Sequence, residues 1–117
     1  MLHGQDETIL PCLAMGGAQG GIGGTTHYNG KELTGILEAW AAGDLETARE
    51  RQNFSQEVIN VICRYRGNIV GGKQIMKLIG LDVGKNRTPF QNMTDAEETA
   101  MKAELEAIHL FDRCNKF

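Results

Sequence analysis

The chain has 117 residues, of which 41% are hydrophobic and 23% are charged, and its formal net charge is −3. These values are typical of one globular domain, and the negative charge argues against a nucleic-acid partner, which would need a basic surface. No apolar run approaches the roughly 20 residues that cross a membrane, and the N-terminal segment lacks the basic and apolar regions of a secretion signal, so we expect neither a membrane anchor nor secretion.

The cysteines predict a reduced, cytoplasmic protein. They are odd in number, widely spaced and without a C-x-x-C motif, at positions Cys12, Cys63 and Cys114. Thiols in this pattern are more typical of the cytoplasm than of a disulfide or metal site. The histidines share no metal-ligand spacing, so we expect no metal and no other cofactor.

The first quarter of the chain predicts two short extended segments, each followed by a helix. The segment "TILPCLAM" (residues 8–15) predicts a short helix with Pro11 in its first turn, where the missing N–H costs nothing. The cap of this helix therefore lies near Glu7 or Thr8. The glycine-rich "AQGGIGG" (residues 18–24) is the second extended segment. This order is a βαβα unit, which implies parallel strands.

Two amphipathic helices follow. The first has apolar residues at spacings of three and four, namely Leu33, Ile36, Leu37, Trp40 and Ala41. Gly43 ends this helix, because glycine tolerates the left-handed backbone found there, and Asp44 caps the next one. The second helix is predicted to bury Phe54, Val58, Val61, Ile62 and Tyr65 on one face.

The C-terminal part predicts two more helices. A short one spans about residues 72–79, and a longer one begins with "TDAE" at residues 94–97. Thr94 and Glu97 have the spacing of a capping box. The buried side of the last helix is predicted to be Met101, Leu105 and Ile108, continued by Leu110 or Phe111. Most of the chain is therefore predicted to be helical.

The glycine-rich segment at residues 16–27 does not match a nucleotide-binding motif. A dinucleotide fingerprint would need a third glycine where Thr26 stands. The segment "GNIVGGKQ" (residues 67–74) resembles a P-loop but ends in Gln74, which has no hydroxyl for magnesium. We therefore expect no phosphate site in either segment.

The loops after the two extended segments are the candidate substrate-binding segments. "GQDE" (residues 4–7) and "GGTTH" (residues 23–27) each lie between an extended segment and a helix. In a barrel of parallel strands, such loops form the active site. Two alternatives remain: the acidic pair of the first loop caps the following helix, and the threonine pair of the second forms a turn before Gly30.

Two segments resemble one enzyme family and together cover essentially the whole chain. "GQDETILPCLAMGGAQGGIGGT" (4–25) is similar to barrel strands seven and eight of the N-acetylneuraminate lyase and dihydrodipicolinate synthase superfamily. "GKQIMKLIGLDVGKNRTPF" (72–90) is similar to its later lysine-bearing helix and glycine, arginine and proline positions. The resemblance implies an α/β fold, the C-terminal part of a TIM (β/α)8 barrel, with two short parallel strands and mostly α-helices. In this single unit, residues 1–30 would supply strands seven and eight with the intervening helix, and residues 31–117 the closing and C-terminal helices.

The same resemblance implies class I aldolase chemistry on a 2-keto acid such as pyruvate or a sugar acid. In that family, pyruvate forms a Schiff base with a lysine on the sixth strand, and a tyrosine on the fifth strand relays the proton. Both strands precede the portion that this chain resembles, so we expect substrate-binding loops here but no catalytic residue. The G-x-D-E form of the first loop resembles the neuraminate lyase branch more than the synthase branch.

Three substrate-binding residues are implied in the first loop. By position, Gly4 matches a glycine whose backbone lines the pocket after strand seven. Asp6 and Glu7 match acidic residues that, in the neuraminate lyases, bind the hydroxylated tail of the sugar acid. The first loop would therefore recognise the substrate's tail.

Three more are implied in the second loop and at the extended residue just before it. Ile22 matches a strand-eight residue whose backbone lies beside the Schiff base, and Thr25 belongs to the same group of substrate-binding residues. Gly24 departs from the family, because neuraminate lyases usually carry serine there, in G-S-T-Y-N. One sugar contact is then lost, and another 2-keto acid is an equal alternative to N-acetylneuraminate. A serine at this position is expected to restore that contact.

A second hypothesis is a non-catalytic helical module that associates with itself or complements a partner half-barrel. Two strands without a third leave unpaired N–H and C=O groups on their outer edges. The helices also carry apolar stripes that would face the missing barrel strands. Under either hypothesis we expect a homo-oligomer or a partner half-barrel.

Overall fold

Helices make up most of the computed structural model, which describes residues 1–117. A 3-10 helix at Asp6–Thr8 leads into α1 (Ile9–Ala14), and the remaining helices are α2 (Thr26–Ala41), α3 (Leu45–Arg64), α4 (Gly67–Leu78), α5 (Asp95–Ala107) and α6 (Leu110–Arg113). No helix combines the length and the apolar character needed to cross a membrane.

The two extended segments meet in one parallel bridge between His3 and Gly21. The His3 N–H donates to the Gly20 carbonyl at 2.9 Å, and the Ile22 N–H donates to the His3 carbonyl at 2.8 Å. The prediction of two short parallel strands is correct in direction but not in extent, because the segments share a single bridge and form no continuous ladder. A two-stranded pair without a third strand is marginal, and the chain turns into a helix soon after each segment. The bridge still brings the two loops to the same edge.

Two helices begin earlier than the apolar pattern predicts. Helix α2 starts at Thr26 rather than near Leu33, and its first turns bury the polar side chains of Asn29 and Glu32. Gly30 therefore lies inside a helix, and of the two threonines considered as turn residues, Thr25 lies in a turn before α2 whereas Thr26 is the first residue of the helix. Helix α4 likewise starts well before residue 72, and its buried positions include glycines. An apolar periodicity cannot detect helical turns that bury polar side chains or glycine.

All three predicted N-terminal caps are at the expected positions, with Thr8 before α1 making no side-chain cap and the other two capping through their side chains. The Thr47 N–H donates to Asp44 Oδ1 at 3.0 Å, and Thr94 and Glu97 form the reciprocal capping box. The last predicted helix is divided, because His109 has a left-handed backbone with φ of 58° between α5 and α6. Leu110 is fully buried just after this break.

Two apolar clusters form the core around α2 and α3. The smaller one joins α1 to both of these helices and consists of Ile9, Leu10, Leu13, Leu33, Ile36, Ala39 and Ala48. The larger one contains the predicted buried face of α3, together with residues of α4, α5 and α6, and its buried members are Tyr28, Phe54, Val58, Val61, Ile62, Tyr65, Ile75, Met76, Ile79, Met101, Leu105, Leu110 and Cys114. The smaller cluster fixes α1 and hence the two loops at its ends.

Candidate substrate-binding loops

The two predicted loops are joined directly by one carboxylate. The Thr25 N–H donates to Asp6 Oδ2 at 2.9 Å, and the Thr25 hydroxyl donates to the same oxygen at 2.6 Å. Asp6 and Thr25 are each only 4% exposed. Hydrogen bonds to a buried carboxylate are among the stronger ones in proteins, so this contact holds the loops together.

Asp6 therefore has a different partner from the one expected of a simple helix cap. Its carboxylate reaches the start of α2, nineteen positions further along the chain, instead of the helix that directly follows it. Gly23 lies against this carboxylate, and a Cβ at Gly23 would come within 1.8 Å of Asp6 Oδ1. Glycine is thus required at residue 23 for Asp6 to reach Thr25.

Glu7 differs from its neighbour, because its half-buried carboxylate makes no hydrogen bond within the chain. The backbone around it is held by two glutamines of α3. Gln52 donates to the Asp6 carbonyl at 3.0 Å and accepts from the Leu10 N–H at 2.9 Å, and Gln56 donates to the Glu7 carbonyl at 2.9 Å. Sequence reasoning missed both glutamines, because neither belongs to the predicted apolar face of α3 and their partners are more than forty positions away.

The predicted residues in and just before the second loop differ in their exposure to solvent. Ile22 is 68% exposed, and a Cβ at Gly4 would lie 4.0 Å from the Ile22 carbonyl, so these two segments run side by side. Gly24 is also exposed. Its carbonyl accepts a hydrogen bond of 2.7 Å from the side-chain amide of Asn68, a residue of α4 that sequence reasoning did not identify.

Two side chains next to the loops, Tyr28 and His27, have pKa values shifted in the direction that favours their neutral forms. Burial raises the pKa of the Tyr28 hydroxyl, and the nearby charge of Asp6 adds to this shift. Burial also lowers the pKa of His27 below its ordinary value of 6.5, although Asp6 opposes the change. Tyr28 is therefore a hydrogen-bond donor, and His27 carries no charge at neutral pH.

The loops do not enclose a complete pocket. A cavity of about 70 Å³ lies beside them, and its lining includes Asp6, Gly21 and Thr26. A larger surface depression of about 620 Å³ is lined by α3 residues such as Glu46 and Arg49 and contains none of the loop residues. No group of three or more acidic, histidine or cysteine side chains is arranged to hold a metal ion. Substrate-sized space at the loops would need walls from additional polypeptide.

The chain is similar in sequence to a family of known enzymes. The model of the dihydrodipicolinate synthetase family matches residues 1–108. An N-acetylneuraminate lyase from Rhizobium meliloti (strain 1021) is 35% identical over 106 residues, which cover 91% of this chain and 35% of that protein. The corresponding enzyme of Mus musculus is 34% identical over 109 residues, which cover 92% of this chain and 34% of that protein. The chain thus spans about a third of the length of these relatives.

Solved structures give the same result. An N-acetylneuraminate lyase from Proteus mirabilis superposes with a TM-score of 0.84 at 28% identity, over 93% of this chain and 36% of that one. A dihydrodipicolinate synthase from Bacillus anthracis shares the fold, with a TM-score of 0.81 at 24% identity, over 91% of this chain and 36% of that one. The resemblance predicted from the two sequence segments is confirmed: this chain belongs to the dihydrodipicolinate synthetase family.

Proposed function

We propose that this chain is the C-terminal, substrate-recognition part of a pyruvate-dependent class I aldolase or lyase barrel that acts on a 2-keto acid. The observation that carries the proposal is the meeting of residues 4–7 and 23–27 at one edge of a parallel bridge. These loops come together in a chain that is 35% identical to an N-acetylneuraminate lyase. Loops at the carboxyl ends of parallel barrel strands are where substrates bind in this architecture.

Within this proposal the loop residues have separate tasks. Glu7 has a carboxylate that the chain itself does not use, so it is available to accept hydrogen bonds from hydroxyl groups on the substrate's tail. Gly4 and Ile22 contribute backbone beside the reacting carbons. Asp6 and Thr25 position the loops through their mutual hydrogen bonds.

The lysines of this chain do not suit Schiff-base chemistry. A nucleophilic amine needs a desolvated site that lowers its pKa. The Lys77 ammonium is instead half exposed and lies 3.1 Å from Glu98 Oε2, and this hydrogen bond raises its pKa. Lys73 donates to the Lys85 carbonyl at 3.1 Å, away from both loops. The reactive lysine would therefore come from polypeptide outside this chain.

The chain alone is expected to form no stoichiometric adduct when it is incubated with pyruvate and borohydride, because none of its amines lies in a desolvated site. Mass spectrometry of the intact chain measures the adduct, and the Proteus mirabilis lyase is the positive control. Efficient labelling of a single lysine of this chain would contradict the inference that the Schiff-base lysine comes from other polypeptide.

A fusion protein tests the proposed function itself. Residues 1–117 replace the part of the Proteus mirabilis lyase on which this chain superposes, which is 36% of that protein. The expected result is a folded fusion that traps pyruvate and cleaves a 2-keto acid aldol. A folded fusion that traps pyruvate but cleaves none of the 2-keto acids tested, N-acetylneuraminate included, would favour the non-catalytic module.

A surface at the bridge supports association under either hypothesis. Met1, Leu2 and Ile22 are 85%, 60% and 68% exposed and lie on or beside the His3–Gly21 bridge. Unpaired strand edges and exposed apolar side chains are typical of sites that pair with another strand. We propose that the occupant is a parallel strand, supplied by the rest of a barrel or by a second copy.

Light scattering at low micromolar concentration is expected to show an oligomer rather than a monomer. Ile22→Lys should shift the distribution towards smaller species, because a lysine on an edge strand disfavours pairing. Leu81→Lys, which changes a 42% exposed residue in the loop after α4, is the matched control and should have no effect. A monodisperse wild-type monomer with a cooperative thermal transition would contradict the proposed pairing surface.

A further inference from the structure

Asn68, on the first turn of α4, is enclosed on three sides by the loop and its support. Its Nδ2 donates to the Gly24 carbonyl at 2.7 Å, and its Oδ1 accepts from the Tyr28 hydroxyl at 2.6 Å. On the third side, a Cβ at Gly72 would come within 2.7 Å of Asn68 Oδ1. The two ends of the planar amide are therefore held by different elements, and the side chain has little freedom to move.

Gly24 is the residue that this arrangement affects most. A Cβ at Gly24 would lie 2.5 Å from Asn68 Nδ2, a distance at which one of the two groups must shift. Asn68 cannot shift without losing the hydrogen bond to Tyr28 or the one to the loop. A serine at residue 24 would therefore compete with Asn68 for the same space, and the expectation that it simply restores a sugar contact does not take this neighbour into account.

We infer that Asn68 is a positioning residue for the substrate-binding loop, and that Asn68 and Gly24 form one coupled pair that sets the shape of the pocket for the substrate's tail. The inference rests on the proposed function for its substrate class. Its physical content is that residue 24 can carry a side chain only when residue 68 is small. The asparagine then replaces a side chain at residue 24 as the polar group beside the loop.

A double-mutant cycle on the full 117-residue chain tests the coupling. Gly24→Ser and Asn68→Ala are each expected to lower the ratio of folded to unfolded chain by about 5- to 30-fold. When Asn68→Ala is already present, Gly24→Ser is expected to lower this ratio at least about fivefold less than it does in the wild type, because the smaller residue 68 leaves space for the serine. Asn60→Ala, an exposed asparagine of α3, is the matched control and should not change the cost of the serine.

The outcomes of this cycle are distinct. If Gly24→Ser alone does not fold, recovery of folding by Asn68→Ala gives the same support as the measured coupling. The coupling is contradicted if Gly24→Ser lowers the folded fraction equally with and without Asn68→Ala. It is also contradicted if Gly24→Ser alone does not fold and Asn68→Ala fails to restore folding.

The fusion protein supplies a readout that a purely structural role would not change. Pyruvate has no tail, so borohydride trapping does not depend on contacts with a substrate tail, whereas the KM for N-acetylneuraminate does. Asn68→Ala is expected to raise that KM by about two- to tenfold, the effect of one hydrogen bond, and to change the trapping yield by less. A trapping yield that falls by the same factor as KM rises, or a KM that does not change, would overturn the positioning role. An unsubstituted fusion that traps no pyruvate would instead count against the proposed function.

Discussion

Replacing Glu32 with glutamine is expected to lower the free energy of unfolding by about 3 kcal/mol, as when one partner of a buried ion pair is removed. The Glu32 side chain is 5% exposed and receives Arg113 Nη2 at 2.6 Å and Arg51 Nη1 at 3.1 Å. Glutamine preserves the shape but removes the charge, which leaves two arginines partly buried and close together. This value is at the lower end of the roughly 3–5 kcal/mol typical of such substitutions, because the arginines remain 27% and 33% exposed and water can reach them.

Glu50→Gln is the matched control, since Glu50 binds the same Arg113 at 2.6 Å but is 57% exposed. Exposed ion pairs contribute at most about 1 kcal/mol, so this variant should lie close to the wild type. Urea denaturation at fixed chain concentration measures both effects as shifts of the transition midpoint. Equal shifts for the two variants would show that burial does not distinguish the two glutamates.

The Glu32 cluster also has a defined place in the fold. It ties α6 to α2 and α3, and Arg113 additionally stacks on the Phe54 ring, with its guanidinium carbon 3.9 Å from the ring centre. Hydrogen bonds to Glu32 and then Glu50 raise the pKa of Arg113. Helix α2 accommodates the cluster through Gly35, where a Cβ would come within 2.7 Å of the Arg51 guanidinium.

Local patterns in the sequence predicted those parts of the fold that depend on neighbouring residues. The buried face of α3, the Asp44 cap and the Thr94–Glu97 capping box follow from spacings of three and four residues. The Glu32 cluster could not be predicted in this way, because Glu32 and Arg113 are 81 positions apart. Glu32 also precedes the apolar stripe that begins at Leu33, so the spacing of apolar residues indicated neither that it is buried nor which arginine pairs with it.

In the candidate site, too, local order in the sequence was predictive and contacts between distant residues were not. The extended-helix-extended-helix order predicted that residues 4–7 and 23–27 share one edge, and the bridge and the Asp6–Thr25 bonds agree. The predicted strands shrink to one bridge, because a ladder depends on neighbours that this chain does not supply. Asn68 was missed because it approaches the loop from a helix more than forty positions later.

Replacing Asp6 with alanine is expected to lower the free energy of unfolding by about 2–3 kcal/mol. The substitution leaves the Thr25 N–H and hydroxyl without their common acceptor, in a place where both are buried. A buried donor without a partner loses its hydrogen bond to water and gains nothing in return. The start of α2 and the second loop should loosen together, which faster amide exchange of residues 23–29 would show.

Glu7→Ala is the matched control for this prediction, because it removes the neighbouring carboxylate from the same 3-10 helix. Its side chain is half-buried and makes no hydrogen bond within the chain, so the change should lie within about 0.5 kcal/mol of zero. In the fusion protein, Glu7→Ala should raise the KM for N-acetylneuraminate although it leaves the stability unchanged. This contrast distinguishes the two adjacent residues: the family resemblance implies that both bind the substrate's tail, whereas the contacts indicate that Asp6 anchors Thr25 and leave Glu7 available for substrate. Equal loss of stability in the two variants would contradict the anchoring role of Asp6, and an unchanged KM for Glu7→Ala would contradict its proposed contact with the substrate.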